Sequence, residues 1–492
     1  MLEVLFGAAL VASAPWAGAD DRSRQSKAEL ATAVAALERE DCAAVLASTA
    51  RLKKMPDFAR LSELRLVTLQ MSAVCHDYLA DKDAAYADAR LATAMDGSID
   101  QVWLLRLAGD VRAKDWPAFV TTAEAIAKDR PLLLNGLSLA WLNHIEIQLR
   151  SAGQEYLRRR YLAVLADSAY WPDEPGGSNE GFRQRYALML ADAGEHEKAF
   201  EMARLLTNPY LLISLSLDPR FRPALGGTPD VRATTERHLA HARTQIDRFP
   251  NAIQPVIDVA DDLRLLGRPK EALAVLQSIE PAVTGDAPLQ DRDDKAIWWW
   301  DAMSRAHHAA GDQDAALAAL RTGSAMKEGS GRNVSLTINL ANLQLISGDP
   351  AGAIRTLEAA DAPEWDASPY GTMQVVTVRG CANFRQKATA NADKDFAYAR
   401  EHQDDAADAV TDLYLCRGDL DGAAASMIAR LKDKDQRLQA LRDLSTFEVP
   451  PNPLPPDPVV RAMEALRQRP DVQAAAQQAG GTRHFNIQRP GF

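Results

Sequence analysis

Residues 297–320 read IWWWDAMSRAHHAAGDQDAALAAL. Two helical stretches meet at Gly311-Asp312. Glycine enters the left-handed backbone region without a steric penalty, so Gly311 can end the first helix sharply. Asp312 follows where a side-chain oxygen can cap the free N–H groups of the second helix and meet its positive end. Ala316, five residues after Gly311, is small enough to let the two helices approach, and Leu320 adds a large apolar side chain one turn later. The stretch therefore reads as an antiparallel helix pair.

The same pattern recurs in AGEHEKAFEMARLL, LGRPKEALAVLQSI, SGDPAGAIRTLEAA and RGDLDGAAASMIAR. The five pairs are Gly194/Ala199, Gly267/Ala272, Gly311/Ala316, Gly348/Ala353 and Gly418/Ala423. Leu276, Leu320, Leu357 and Met427 fill the apolar position in four of the five. The glycines are 73, 44, 37 and 70 residues apart, and the two long intervals each have room for one further, degenerate unit. Ala80/Ala85 and Ala113/Ala118 keep the offset with alanine in place of glycine.

Small residues also stand seven places before each glycine, at Ala187, Ala260, Ser304, Ala341 and Thr411. Together these positions resemble the tetratricopeptide repeat (TPR) family, a helix–turn–helix unit of about 34 residues. The resemblance covers most of residues 26–440 and is strongest over 186–430. It implies an all-α fold, an α-solenoid winding as a right-handed superhelix of antiparallel helix pairs, and a divergent, exported bacterial TPR-like protein.

Composition narrows the function. The 492 residues are 47% hydrophobic and 25% charged, with a formal net charge of −11. An acidic chain of this kind is a poor match for the phosphate backbone of nucleic acid. No apolar run reaches the roughly 18–20 residues of a transmembrane helix. At the N-terminus, Leu5–Ala14 is apolar, Pro15 breaks it, and Ala17-Gly18-Ala19 precedes Asp20 in the manner of a signal-peptide cleavage site, although Glu3 is the only charge before it. We read 1–19 as a secretory signal and expect export, to the periplasm of a Gram-negative bacterium.

Cys42, Cys75, Cys381 and Cys416 fall as two pairs, 33 and 35 residues apart, without a C-x-x-C motif. In an exported chain two pairs suggest two disulfides. Cys42 would begin one helix and Cys75 lie late in the next antiparallel one, at the same end of the stack. Cys381 and Cys416 would lie on successive first helices, whose axes usually stand farther apart than a disulfide spans.

The chain divides into the signal at 1–19, helical repeats over 20–169, irregular repeats with loop insertions over 170–230, TPR-like repeats over 231–440, and a proline-rich linker, capping helix and tail over 441–492. The loop YWPDEPGGSNEGF (170–182) and the break LDPRFRPALGGTPD (217–230) are rich in helix breakers. EVPPNPLPPDPV (448–459) reads as an extended strap, residues 459–479 as amphipathic turns that cover the last repeat, and GGTRHFNIQRPGF as a mobile tail.

No phosphate-binding loop, nucleophile elbow or zinc-protease motif is present. His238 and His241 share a helix face without further ligand candidates, and Asp405, Asp408 and Asp412 form an acidic face expected to be solvated. By resemblance, Trp300, Met303 and His307 pack against the second helix of their pair. The positions lining the family's concave groove fall on Trp298, Asp301, Arg305 and His308. In the preceding unit they fall on Gln254, Ile257, Asp261 and Arg264, and in the following one on Ser335, Ile338, Asn342 and Leu345. The resulting partner-binding residues are Trp298, Asp301, Arg305, His308, Arg264, Asp261 and Asn342.

The resemblance implies a scaffold or adaptor without enzymatic activity or cofactor, binding a protein or extended peptide in the cell envelope. One alternative is a separate binding component of polysaccharide export or cell-wall machinery, which calls for Trp298 exposed beside polar partners in a groove. A third is an enzyme with a site built by the loops 170–182 and 217–230, which calls for a deep pocket there.

Overall fold

A computed structural model describes residues 21–226, 229–328, 331–358, 360, 365, 367–450 and 457–491. The expected signal at 1–19 and most of the proline-rich strap, 451–456, lie outside the described residues. The chain forms two compact units, Met1–Asp173 and Glu174–Phe492, which divide within the loop 170–182. Both are all-α solenoids of paired antiparallel helices.

The first unit pairs Asp21–Glu38 with Cys42–Leu52, Ser62–Tyr78 with Lys82–Thr93, Asp100–Arg112 with Trp116–Asp129, and Leu139–Ser151 with Glu155–Ala166. In the second unit the clearest pairs are Gln254–Leu265 with Pro269–Ser278, Arg292–Ala310 with Gln313–Ser324, Val334–Ile346 with Pro350–Thr356, Pro369–Arg385 with Thr389–Glu401, and Ala407–Cys416 with Leu420–Lys432.

The turn chemistry explains the pairing. Gly194, Gly267, Gly311, Gly348 and Gly418 all have positive φ, +87° at Gly311. The following aspartate caps the second helix: Asp312 accepts from Ala315 N at 3.1 Å, Asp349 from Gly352 N at 2.8 Å and Asp419 from Gly422 N at 2.9 Å. Asp41, Asp81 and Asp115 do the same in the first unit. Each such cap contributes about 1 kcal/mol. Ala199, Ala272, Ala316, Ala353 and Ala423 are fully buried, as are Leu276, Leu320, Leu357 and Met427.

One register differs from expectation. The left-handed turn residue after Asp100–Arg112 is Lys114, not Ala113, so the buried position five residues on is Phe119 rather than Ala118. Lys114 has no side-chain feature that marks it as a turn. The degenerate unit between Gly348 and Gly418 likewise turns on Lys387, φ +61°.

Cys42 opens its helix and is bonded to Cys75, with Cα atoms 5.0 Å apart. Cys381 is bonded to Cys416 across 5.4 Å. The two first helices come this close because Gly380 sits beside Cys381: a β-carbon there would fall 2.7 Å from Leu413 Cδ2.

The second unit closes on itself. Helix Pro209–Leu217 packs against Arg437–Leu444, and one core joins Leu212, Ile213, Leu217, Val231 and Leu265 from the start of the array to Met427, Leu431, Leu441 and Leu444 from its end. Helices Pro458–Gln468 and Pro470–Ala479 add Leu466, Val472 and Ala476 to this core, covering the last repeat. The tail, expected to be mobile, is held at the seam. Its strand β2 (His484–Gln488) pairs in parallel with β1 (Thr446–Glu448), and Phe485 and Ile487 are buried in the shared core. Burying those two side chains contributes roughly 3–6 kcal/mol. The alternation of Phe485 and Ile487 is the strand signal that the flanking glycines obscured.

Candidate functional site

Three successive first helices of the second unit border one cavity, and the tryptophan run sits on one of them, Arg292–Ala310. Consecutive helical residues point about 100° apart, so the three indoles have different surroundings. Trp299 is fully buried and its Nε1 donates to Leu276 O at 3.2 Å, across the gap to the preceding pair. Trp300 packs on Gly323 of its own second helix, in keeping with its repeat position, and stands at an angle to Trp299. Trp298 is half-buried and lines an open cavity of about 750 Å³.

That cavity spans three successive inner helices, 292–310, 334–346 and 369–385. Trp298, Val334, Ile338 and Ala367 supply its apolar surface, and Arg305, Glu328, Asn339, Tyr370 and Gln374 its polar one. Several polar groups are held in place. Arg305 Nε lies 2.6 Å from Asp301 Oδ2, and Asn339 Nδ2 donates to Asp301 Oδ1 at 2.9 Å. Ser335 donates to Glu328 from its hydroxyl at 2.8 Å and from its backbone N–H at 3.1 Å. Burial pushes the Asp301 carboxyl up from its ordinary range, against the pull of Arg305 and Asn339.

The structure thus brings Trp298 and Arg305 together on one cavity and sets Asp301 behind Arg305 and Asn339 as their positioning carboxylate. Asn342 stands half-buried on the neighbouring helix 334–346. His308 is turned toward Gln313 Oε1, 2.9 Å from its Nδ1, and burial lowers its pKa. Arg264 is only 4% exposed, because the tail covers it. It donates to the carbonyls of Arg489 and Gly491 at 3.3 Å, to the Tyr210 hydroxyl at 3.3 Å and to Asp261 Oδ1 at 3.4 Å. Arg264 and Asp261 therefore meet each other and the tail, not the cavity at Trp298.

The acidic face of helix Ala407–Cys416 departs from expectation. Asp405 precedes the helix and is exposed, whereas Asp412 is half-buried, with its pKa pushed up to about 7 by desolvation and by the charges of Asp443 and Asp408, against Arg430 and Arg489. Counting back from Gly418 as Asp301 and Arg305 are counted from Gly311 selects Asp408 and Asp412, while the offset of Trp298 falls on the exposed Asp405. The repeat register carried the signal, and the charge run masked it. The offset of Trp298 from Gly311, counted back from Lys387, selects Gln374, which lines the cavity.

Around the loop 170–182 the chain closes space. Gly176 lies on Gln254 and Asp258; a β-carbon on it would fall 2.5 Å from Gln254 Cγ and 2.7 Å from Asp258 Oδ2. Burial pushes Asp258 up to about 7. His238 Nδ1 meets Asp262 Oδ2 at 2.6 Å, and this partner outweighs burial and raises the imidazole pKa.

No protein-family model matches the chain, and no curated protein matches it in sequence. Solved structures with related helical architecture include the APC/C hetero-tetramer Cut9-Hcn1, at 13% identity, TM-score 0.31, covering 92% of each chain. Naa15/Naa10 bound to HypK-THB matches at 12% identity and TM-score 0.24, over 85% of this chain and 70% of that one. A circular tandem repeat protein of novel repeat topology matches at 12% identity and TM-score 0.14, over 93% and 97%. Superpositions this loose align no individual site residue.

Proposed function

We propose that the second unit is a non-enzymatic binding scaffold that takes an extended peptide or protein segment across its inner face, anchored at Trp298. The observation that carries this reading is the cavity of about 750 Å³ that crosses three successive helices, lined by Trp298, Val334, Ile338 and Ala367 and by polar side chains already fixed by Asp301 and Ser335. Side chains locked by their neighbours lose little entropy on binding, and a half-exposed tryptophan beside an arginine is a common hot spot. The two disulfides support a place in an oxidising compartment, in keeping with an exported protein of the cell envelope.

The test is photocrosslinking from position 335 in full-length protein, with Trp298→Ala as the variant. Because Trp298 is half-exposed and Trp299 carries the packing, the variant should fold while losing the crosslinked partner. An unchanged partner set in a folded Trp298→Ala protein would falsify the assignment.

A second reading is favoured by one observation. Trp298 and Tyr370 line the cavity together with Asn339, Gln374 and Arg305, a mixture of ring faces and planar polar groups that also suits a saccharide. Binding to an oligosaccharide array that is lost in Trp298→Ala, with no crosslinked polypeptide, would select the role in polysaccharide export or cell-wall machinery.

A further inference from the structure

β2 lies where the first and last helices of the second unit meet, and its partners are remote in sequence. On one side are the β1 ladder, Gln488 Nε2 donating to Val449 O at 3.1 Å, and Arg483 N donating to Ser445 Oγ at 3.1 Å. On the other, Arg232 donates from its Nε to Asn486 O and from its backbone N–H to Asn486 Oδ1, both at 3.0 Å. Asn486 Nδ2 donates to Asp230 Oδ1 at 2.8 Å. Phe485 and Ile487 point into the common core, and the Arg489 guanidinium lies over the Phe447 ring and donates to Asp443 O at 3.2 Å.

Three features mark this as a filled binding site rather than ordinary core. The ladder is short and its register shifts between Phe447 and Glu448. The segment begins at Gly480-Gly481, whose φ values of +135° and +80° turn the chain sharply out of helix Pro470–Ala479 and into the seam. Finally, the seat crowds cations. Burial and the nearby Arg222 lower the pKa of Arg483, and burial and Arg442 lower that of Arg489 against Asp443 and Asp412. Confined like charges oppose the apolar contacts that hold the strand.

We propose that this seam is a strand-accepting site which the chain fills with its own C-terminal segment, and that the partner it fits is an extended polypeptide with the alternation aromatic–x–aliphatic–x–arginine of Phe485, Ile487 and Arg489. Main-chain groups on β1 and Arg232 supply the backbone recognition, and the core pockets of Phe485 and Ile487 supply the selectivity, as in other cases of strand addition. The site is separate from the cavity at Trp298, so either proposal can fail while the other stands.

The probe is a fluorescein-labelled peptide of residues 482–491, TRHFNIQRPG, added to full-length protein. A tethered strand competes at a high effective concentration, so wild type should bind the peptide weakly and Phe485→Ser should bind it at least about tenfold more tightly. Adding Arg232→Ala to the receiving protein should reverse most of that gain. Equal binding to wild type and to a folded Phe485→Ser protein, or no binding to either, overturns the proposal. If Phe485→Ser fails to fold, hydrogen exchange of wild type decides: the Phe485 and Ile487 amides should exchange well before those of helix Leu420–Lys432. Exchange of both at the same rate overturns the proposal.

Discussion

The two units turn their helix pairs by the same geometry with different residues. In the second unit the left-handed position is mostly glycine, at Gly194, Gly267, Gly311, Gly348 and Gly418, with Lys387 the exception; in the first it is mostly not, at Glu40, Ala80 and Lys114 with φ from +53° to +64°, with Gly153 the exception. The capping aspartate is common to both, so local hydrogen bonding imposes the turn even where the backbone resists it. Their buried acids differ more. In the first unit Asp110 accepts from the Tyr86 hydroxyl at 2.6 Å and the Thr122 hydroxyl at 2.7 Å. In the second, Asp395 is matched in the same way by Arg379 and Asn383, but the half-buried Asp412 stands beside Asp408 and Asp443. A buried polar group with fitted donors belongs to a packed structure, and a carboxyl crowded by its own kind marks a surface shaped by something other than stability.

Breaking the disulfides tests most strongly whether the two units are separate. Their loops are nearly equal, 33 and 35 residues, so chain entropy gives each about 3–4 kcal/mol. Cys42→Ala/Cys75→Ala should lower hydrogen-exchange protection at Leu64 and Val67 by that amount and leave Leu276 and Leu320 unchanged; Cys381→Ala/Cys416→Ala should leave Leu64 unchanged. A loss of protection in both units from either double variant would show that they unfold as one.

The contrast in acids is tested by pH. The folded-state pKa of Asp412 is raised to about 7, above the ordinary value near 3.8, so the folded protein keeps a proton that the unfolded chain has lost. Its contribution is therefore neutral below about pH 4 and increasingly destabilising up to about pH 7. Asp412→Asn, which cannot ionise, should be more stable than wild type at pH 7.5 by on the order of 2–4 kcal/mol, with the gain vanishing near pH 4. Urea denaturation at the two pH values measures it. A gain that persists at pH 4 would mean that packing, not charge, separates the variants.

Much of the fold was legible because the repeat writes its own geometry. The glycine, the alanine five residues on and, in three of the five matches, the aspartate after the glycine each answer a steric or hydrogen-bonding demand at a fixed place, so five matches carried the solenoid. Trp298 and Arg305 were legible for the same reason. What could not be read came from contacts remote in sequence. Nothing near Arg264 shows that residues 489–491 cover it, and nothing in GGTRHFNIQRPGF shows the seam that Phe485 and Ile487 fill. Asp412 lay within reach of the register, but a run of acids resembles a solvated face until its neighbours are known. Lys114 and Lys387 left no trace because their conformation is imposed by the helices on either side.

Those two lysines give the smallest and most direct test of the comparison. A left-handed backbone costs a non-glycine residue about 1–2 kcal/mol, and glycine returns part of that through the greater freedom of the unfolded chain. Lys114→Gly and Lys387→Gly should each stabilise the protein by about 0.5–1 kcal/mol in urea denaturation, by equal amounts although they lie in different units. The reciprocal change, Gly311→Ala, should cost about 1 kcal/mol or more, since its φ of +87° lies farther from what an L-residue tolerates. If Lys114→Gly were neutral while Lys387→Gly gained, the first unit would have to be relieving its turn elsewhere, and the shared geometry would conceal two different balances of strain and capping.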